Sequence, residues 1–163
     1  MPAEATSSLG SHPAEGSEGG QPCAGVVFLV VEDHEFQRGM IIRTLRRLGA
    51  EEVEGFADGA DALEAARRLP RPGAVLMLDL GMPTLDGMDI ARIAGAEQLP
   101  VSVILHSAQP EDMLLAQVAQ ARAGGAEVLG AIGKPLTAAK LAPLMARHRR
   151  LVAGIAAGPP NPG

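Results

Sequence analysis

Four short apolar runs each end in residues able to do chemistry. Val26–Val31 leads directly into Glu32 and Asp33, and Ala74–Leu78 into Asp79. Val101–Leu105 is followed by His106, Ser107 and Ala108, and Val128–Ile132 by Gly133, Lys134 and Pro135. If these ends share one rim, three carboxylates converge there, and they repel one another and take up protons unless a cation intervenes. Hard oxygen donors with room for water favour Mg²⁺, which commonly uses one or two carboxylates plus phosphate oxygens rather than a complete protein cage. A metal at this place leaves one carboxylate to attack a phosphoryl group, while a lysine and a hydroxyl neutralise the charge that develops. Asp79, alone at the end of its run, is the candidate nucleophile.

The elements that must hold these groups follow from the same runs. The first is short, unbroken and rich in β-branched residues, which suits a strand covered on both faces, the second and third repeat the signal, and the fourth is weaker. Glu52–Phe56 reads as a fifth, more polar edge strand. Helical stretches follow each run. Phe36, Met40, Ile41, Leu45 and Leu48 share one helical face, with Arg38, Arg43, Arg46 and Arg47 solvated. Asp58 is placed to cap a second helix that Pro70 stops. Gly87–Gly95, Pro110–Ala123 and Thr137–Arg150 form the rest, with Pro143 expected to kink the last or shift its start. Five β-then-α units predict an α/β fold, a flavodoxin-like doubly wound parallel sheet of order 2-1-3-4-5 with helices on both faces. In such a sheet the ligand site lies beyond the carboxyl ends of the strands, here between strands 1 and 3.

Composition narrows the functions. The 163 residues carry 14 Lys and Arg against 19 Asp and Glu, a formal charge of −5, with three Phe, no Trp and no Tyr. General nucleic-acid binding and base stacking are disfavoured. No run approaches the roughly 18 apolar residues of a membrane span. The N-terminus lacks the pattern of a signal peptide, and the one cysteine, Cys23, has no partner for a disulfide, so the expected location is cytoplasmic. Residues 1–25 are rich in Gly, Pro, Ser and Glu and are expected to form a disordered N-terminal tail. Residues 151–163 end in a Pro-rich stretch and are expected to form a disordered C-terminal tail, leaving 26–150 as the domain.

Taken together, Val30-Val31-Glu32-Asp33-His34, Asp79-Leu80-Gly81-Met82-Pro83 with Asp86-Gly87, Ser107-Ala108 and Lys134-Pro135 resemble the receiver domain of two-component response regulators, over about 26–148. The resemblance implies Asp79 as phosphoacceptor, Asp33 as a direct Mg²⁺ ligand with Glu32 assisting through water, and a Gly81 backbone carbonyl on the metal. It further implies Ser107 as the hydroxyl that bonds the phosphoryl oxygen, Lys134 as its ion-pair partner, and a cis Lys134–Pro135 bond. The phosphoryl donor would be a histidine kinase or histidine phosphotransfer protein, and the output a downstream protein partner. Such a domain is a phosphorelay switch that promotes its own phosphotransfer and dephosphorylation, not a turnover enzyme. Residues 114–136 are also similar to receivers joined to EAL-type cyclic-di-GMP phosphodiesterases. No EAL domain follows, so the expectation is a single-domain receiver or a fragment of a longer protein. Ala131 stands where many receivers carry an aromatic, which directs the expected response through residues 107–112 and the fourth helix. Gly81 and Gln109 occupy positions that tune phosphoryl loss in that family.

Two other function classes compete. A receiver-like interaction module that works without phosphate would not need Glu32, Asp33, Asp79, Ser107 and Lys134 all present. A phosphohydrolase of the haloacid-dehalogenase type wants Asp-x-Asp at the first strand, where this chain has Glu32-Asp33-His34. Taken singly, Glu32-Asp33 is a helix cap, Ser107 a turn residue, Lys134-Pro135 a loop and His106 a packed side chain. Only their convergence makes a site. The Arg147–Arg150 cluster complements a helix C-terminus.

Overall fold

The computed structural model describes residues 21–158, apart from 71 and 84. Five strands alternate with five helices: β1 Val27–Val31, α1 Glu35–Arg47, β2 Glu52–Phe56, α2 Gly59–Arg67, β3 Ala74–Asp79, α3 Gly87–Ala96, β4 Val101–Ser107, α4 Glu111–Ala123, β5 Val128–Gly133 and α5 Ala138–Ala157. The strands form one parallel sheet of order β2-β1-β3-β4-β5. This is the doubly wound order expected from the βα count. Polar side chains cap four of the helices, with His34 at the start of α1. Asp58 Oδ1 accepts from Ala60 N at 2.8 Å, Asp86 Oδ1 from Asp89 N at 3.0 Å, and Thr137 Oγ1 from Lys140 N at 3.3 Å. Each satisfies an N–H that a helix start leaves without a partner.

Strand alternation divides the core in two. Leu29, Leu76, Leu78, Val103 and Leu105 pack under α2, α3 and α4. Phe28, Val30, Val75, Met77 and Ile104 pack under α1 and α5, against Ile41, Leu45, Leu141 and Met145. The core strands are therefore apolar on both faces, as a sheet with helices on each side requires. On α1 the buried residues are Ile41 and Leu45, whereas Phe36 and Met40 are 65% and 49% exposed. The buried face is narrower than the sequence period, with Phe36 exposed in the first turn of α1 and Met40 half-exposed one turn on.

Both chain ends depart from expectation. Of the two expected disordered tails, residues 1–20 and 159–163 lie outside the described residues. Residues 21–25, assigned to the first tail, pack against the fold. Cys23 N donates to Leu48 O at 3.0 Å, Ala24 bridges Ala50 in antiparallel fashion, and Pro22 and Cys23 are buried. They close the end of the core between α1 and α5. Burial pushes the Cys23 thiol up to about 11, which leaves it unreactive. Residues 151–157, assigned to the second tail, continue α5. Leu151 packs on the α1/α5 core. One turn before it, buried His148 is hydrogen-bonded to Ser102 Oγ at 3.0 Å and to Gly73 O at 2.9 Å. Pro143 lies inside α5, which starts at Ala138.

Candidate functional site

The carboxyl ends of β1, β3, β4 and β5 open on one cavity of about 620 Å³. It is lined by Glu32, Asp33, Asp79, Gly81, Ser107 and Lys134, together with His34, Gln37, Ala108 and Gln109. All six site residues singled out in the sequence are thus brought to one place, and the reason is topological. Parallel strands end at the same edge, so residues that directly follow their apolar runs share it.

Glu32 and Asp33 are adjacent yet differ in environment. Glu32 is 1% exposed, and its backbone is held from both sides, N–H to Phe56 O at 3.0 Å and C=O by the Arg38 guanidinium at 2.8 Å. Its Oε1 accepts from His34 N at 3.2 Å, while Oε2 is buried with no hydrogen-bond partner. Asp33 is exposed and lines the same cavity. His34 caps α1, its Nδ1 accepting from Gln37 N at 3.4 Å, and it also forms part of the cavity wall.

Asp79 is 5% exposed, so it lies beneath the rim and not on it. Gly81 N donates to its Oδ1 at 3.0 Å. A Cβ on Gly81 would stand 3.5 Å from that oxygen, so the missing side chain leaves the approach to the carboxylate open. Gly87 has the opposite character. A Cβ there would meet the Asp79 carbonyl oxygen at 2.7 Å, so the loop after β3 folds back only with glycine at this position.

Lys134 follows β5, and the Lys134–Pro135 bond is cis, as the resemblance implies. Its Nζ donates to Gln37 Oε1 at 3.0 Å and stands 3.6 Å from both Glu32 Oε2 and Asp79 Oδ1. Ser107 Oγ accepts from Gln109 N at 3.1 Å, which occupies a lone pair and leaves the hydroxyl proton available. Gln109, which the resemblance places at a position that tunes phosphoryl loss, lies in the cavity wall, whereas Gln37 did not stand out in the sequence. The signal for Gln37 is its place in the first turn of α1, three residues after His34.

Glu32, Asp33 and Asp79 each offer an oxygen within 4.8 Å of the others. Burial first, and then the neighbouring Asp79 carboxylate, push the Glu32 carboxyl up to about 7, against the pull of the His34 N–H and Lys134. A buried carboxylate oxygen with no donor, beside two more carboxylates and an open cavity with room for water, suits a small hard dication. His106 belongs elsewhere. It is 3% exposed, both ring nitrogens lack partners, and it lines a separate cavity of about 180 Å³ with Met40, Ile41 and Leu136. Burial first, and then the Lys134 charge, hold its imidazole down at about 4, so it is a neutral packed side chain.

Residues 28–145 match the family model described as response regulator receiver domain. The chain is 37% identical over 142 residues to a protein-glutamate methylesterase/protein-glutamine glutaminase of Myxococcus xanthus, an alignment covering 82% of this chain and 39% of that protein. It is 37% identical over 99 residues to NarL, a probable transcriptional regulatory protein of Mycobacterium tuberculosis, covering 60% of this chain and 44% of that protein. The chain therefore spans less than half the length of these curated relatives. Among solved structures, it resembles chemotaxis protein CheY4 of Vibrio cholerae, with a TM-score of 0.60 and 23% identity over 75% of this chain and 97% of that one. It also resembles the Francisella response regulator 1452 receiver domain, with a TM-score of 0.61 and 20% identity over 77% and 98% of the two chains. These two likenesses concern the fold.

Proposed function

The chain belongs to the response regulator receiver domain family, and on that premise we propose that it accepts a phosphoryl group on Asp79 and switches conformation to signal to a protein partner. The donor is a phosphohistidine of a histidine kinase or a histidine phosphotransfer protein. One observation carries this reading. Asp79 faces an open cavity in which an N–H donor from Gly81 and an ammonium from Lys134 flank its carboxylate and the Ser107 hydroxyl shares the wall.

In the transfer, an Asp79 carboxylate oxygen forms the new bond to phosphorus. The P–N bond to the donor imidazole breaks, and the imidazole nitrogen keeps the electron pair. Lys134 is 3.6 Å from Asp79 Oδ1, beyond hydrogen-bond length, so its ammonium is free to close on a phosphoryl oxygen. Ser107 donates its hydroxyl proton to another, while Gln109 N–H holds its oxygen in place. Such charge-assisted bonds favour the phosphorylated form. Glu32, Asp33, Asp79 and the Gly81 carbonyl would hold Mg²⁺, which supplies positive charge for the transferring phosphoryl oxygens when bound. Glu32 must then lose its proton, which its burial beside Asp79 otherwise favours keeping.

No described helix is long and apolar enough to cross a membrane, and we place the domain in the cytoplasm with its phosphodonor. The similarity of residues 114–136 to EAL-associated receivers makes an EAL-type phosphodiesterase the output to test first. Incubation with acetyl phosphate and Mg²⁺, followed by intact-mass measurement, tests the acceptor. One phosphoryl group gained by the native chain and none by Asp79→Asn is the expected result. No gain by the native chain would leave a phosphorylation-independent interaction module, and a gain by Asp79→Asn would move the acceptor elsewhere.

A further inference from the structure

Alternation along β4 turns His106 to the same face as Ile104, which packs under α1 and α5. It lies there 3% exposed, with neither ring nitrogen hydrogen-bonded. The cavity of about 180 Å³ beside it has Met40, Ile41, Thr44, Pro135 and Leu136 in its walls. Gln37 and Lys134, hydrogen-bonded to each other at 3.0 Å, line both this cavity and the one over Asp79. The other polar groups of the wall are engaged. Thr44 Oγ1 donates to Met40 O at 2.9 Å, Gln37 Oε1 accepts from Lys134 Nζ, and that ammonium stands 3.6 Å from the carboxylates of Glu32 and Asp79. The imidazole is the buried group left over.

We propose that this cavity is a binding site for a small neutral ring compound bearing one hydroxyl, a phenol in the simplest case, with His106 as its hydrogen-bond partner. Size sets the class first. A cavity of about 150 Å³ takes benzene, so one of about 180 Å³ takes such a ring with a single substituent. Met40, Ile41, Pro135 and Leu136 give the ring apolar surroundings. A neutral imidazole holds one donor and one acceptor, and a hydroxyl pairs with either, so it serves whichever ring nitrogen meets it. An unpaired buried imidazole is disfavoured, and that is the gain the hydroxyl supplies. A charged head fits less well, because burial holds the imidazole neutral and the nearby ammonium already faces two carboxylates. Met40, 49% exposed and flexible along its side chain, forms an edge that can move to admit the ring. None of the three carboxylates lines this cavity, so the site is independent of the phosphoacceptor reading.

The test is a two-dimensional NMR titration of the full chain with phenol and, separately, with toluene, which has the ring but no hydroxyl. In the native chain phenol should shift the amides of Met40, Ile41, Thr44 and Leu136 to saturation, with a dissociation constant on the order of 1 mM. His106→Leu replaces the imidazole by an apolar side chain of similar size, which a buried position without hydrogen bonds tolerates. In that variant the preference for phenol over toluene should fall by about tenfold or more. His106→Gln keeps a donor and an acceptor and should hold phenol within about threefold of the native affinity, which decides the matter where leucine closes the cavity to both probes. No saturable shift at these amides in the native chain, an unchanged preference in His106→Leu, or loss of phenol binding in His106→Gln overturns the proposal.

Discussion

Lys134 reaches Asp79 across the intervening strand β4, its Nζ standing 3.6 Å from Asp79 Oδ1. The same ammonium is 3.6 Å from Glu32 Oε2, and its one hydrogen bond within 3.0 Å goes to the neutral amide of Gln37. The cation is thus held beside two carboxylates without being committed to either. Four measurements follow from this arrangement and from the packing that supports it.

Asp79→Asn removes one of two buried, mutually repelling carboxylates. The variant should gain no phosphoryl group from acetyl phosphate. It should melt at the same temperature as the native chain or higher, since each 1 kcal/mol of relieved repulsion raises the midpoint by about 2–4 °C for a domain of this size. A thermal melt of both proteins in metal-free buffer checks this, and a fall of several degrees would contradict the repulsion.

Asp33→Asn should weaken Mg²⁺ binding more than Glu32→Gln does. Asp33 is exposed to the cavity and is the expected direct ligand, whereas buried Glu32 is already engaged by His34 N–H and Lys134. We expect losses on the order of 100-fold and on the order of 10-fold respectively. Calorimetric titration measures both, and equal losses would count against the division of roles.

Two glycine replacements should act in opposite directions. Gly87→Ala puts a Cβ 2.7 Å from the Asp79 carbonyl oxygen, a backbone atom that cannot turn aside, and should cost about 1–3 kcal/mol. Gly39→Ala, inside α1, meets nothing within 4 Å and should stabilise the domain by about 0.5–1 kcal/mol. Urea unfolding midpoints measure the two changes. A Gly87→Ala midpoint at or above the native value would contradict the close approach.

His148 makes stability depend on pH. Burial, the largest cause, holds its imidazole below the ordinary value of 6.5. Its Nε2–H donates to Gly73 O, so Nδ1 accepts from the Ser102 hydroxyl, and the ring is neutral in the fold. The unfolded chain takes up a proton near pH 6.5 where the folded one does not. The contribution is therefore present above pH 6.5 and lost as pH falls below it. Unfolding midpoints at pH 7.5, 6.5 and 5.5 should decline more steeply for the native chain than for His148→Asn. Parallel curves would rule this out.

Linear order alone determined the strand sequence, the doubly wound topology and the convergence of Glu32, Asp33, Asp79, Ser107 and Lys134. The reason is that parallel strands all end at one edge, so a residue that directly follows an apolar run has only one place to be. The division between buried Glu32 and exposed Asp33 needed the tertiary structure, because Phe56 and Arg38, distant along the chain or a turn away, lock the Glu32 backbone. The same holds for Gln37 and Gln109, whose polar side chains become cavity walls only when α1 and the loop after β4 are set against β5. Apolar period suggested a wide buried face on α1, but Phe36 and Met40 stay largely exposed. The composition of residues 21–25 looked like that of a tail, yet they form contacts with Leu48 and Ala50 that bury Cys23. Periodicity reports which residues share a face. Whether that face finds something to cover it depends on segments far apart in sequence, and the burial that holds them together exists only after the sheet has formed.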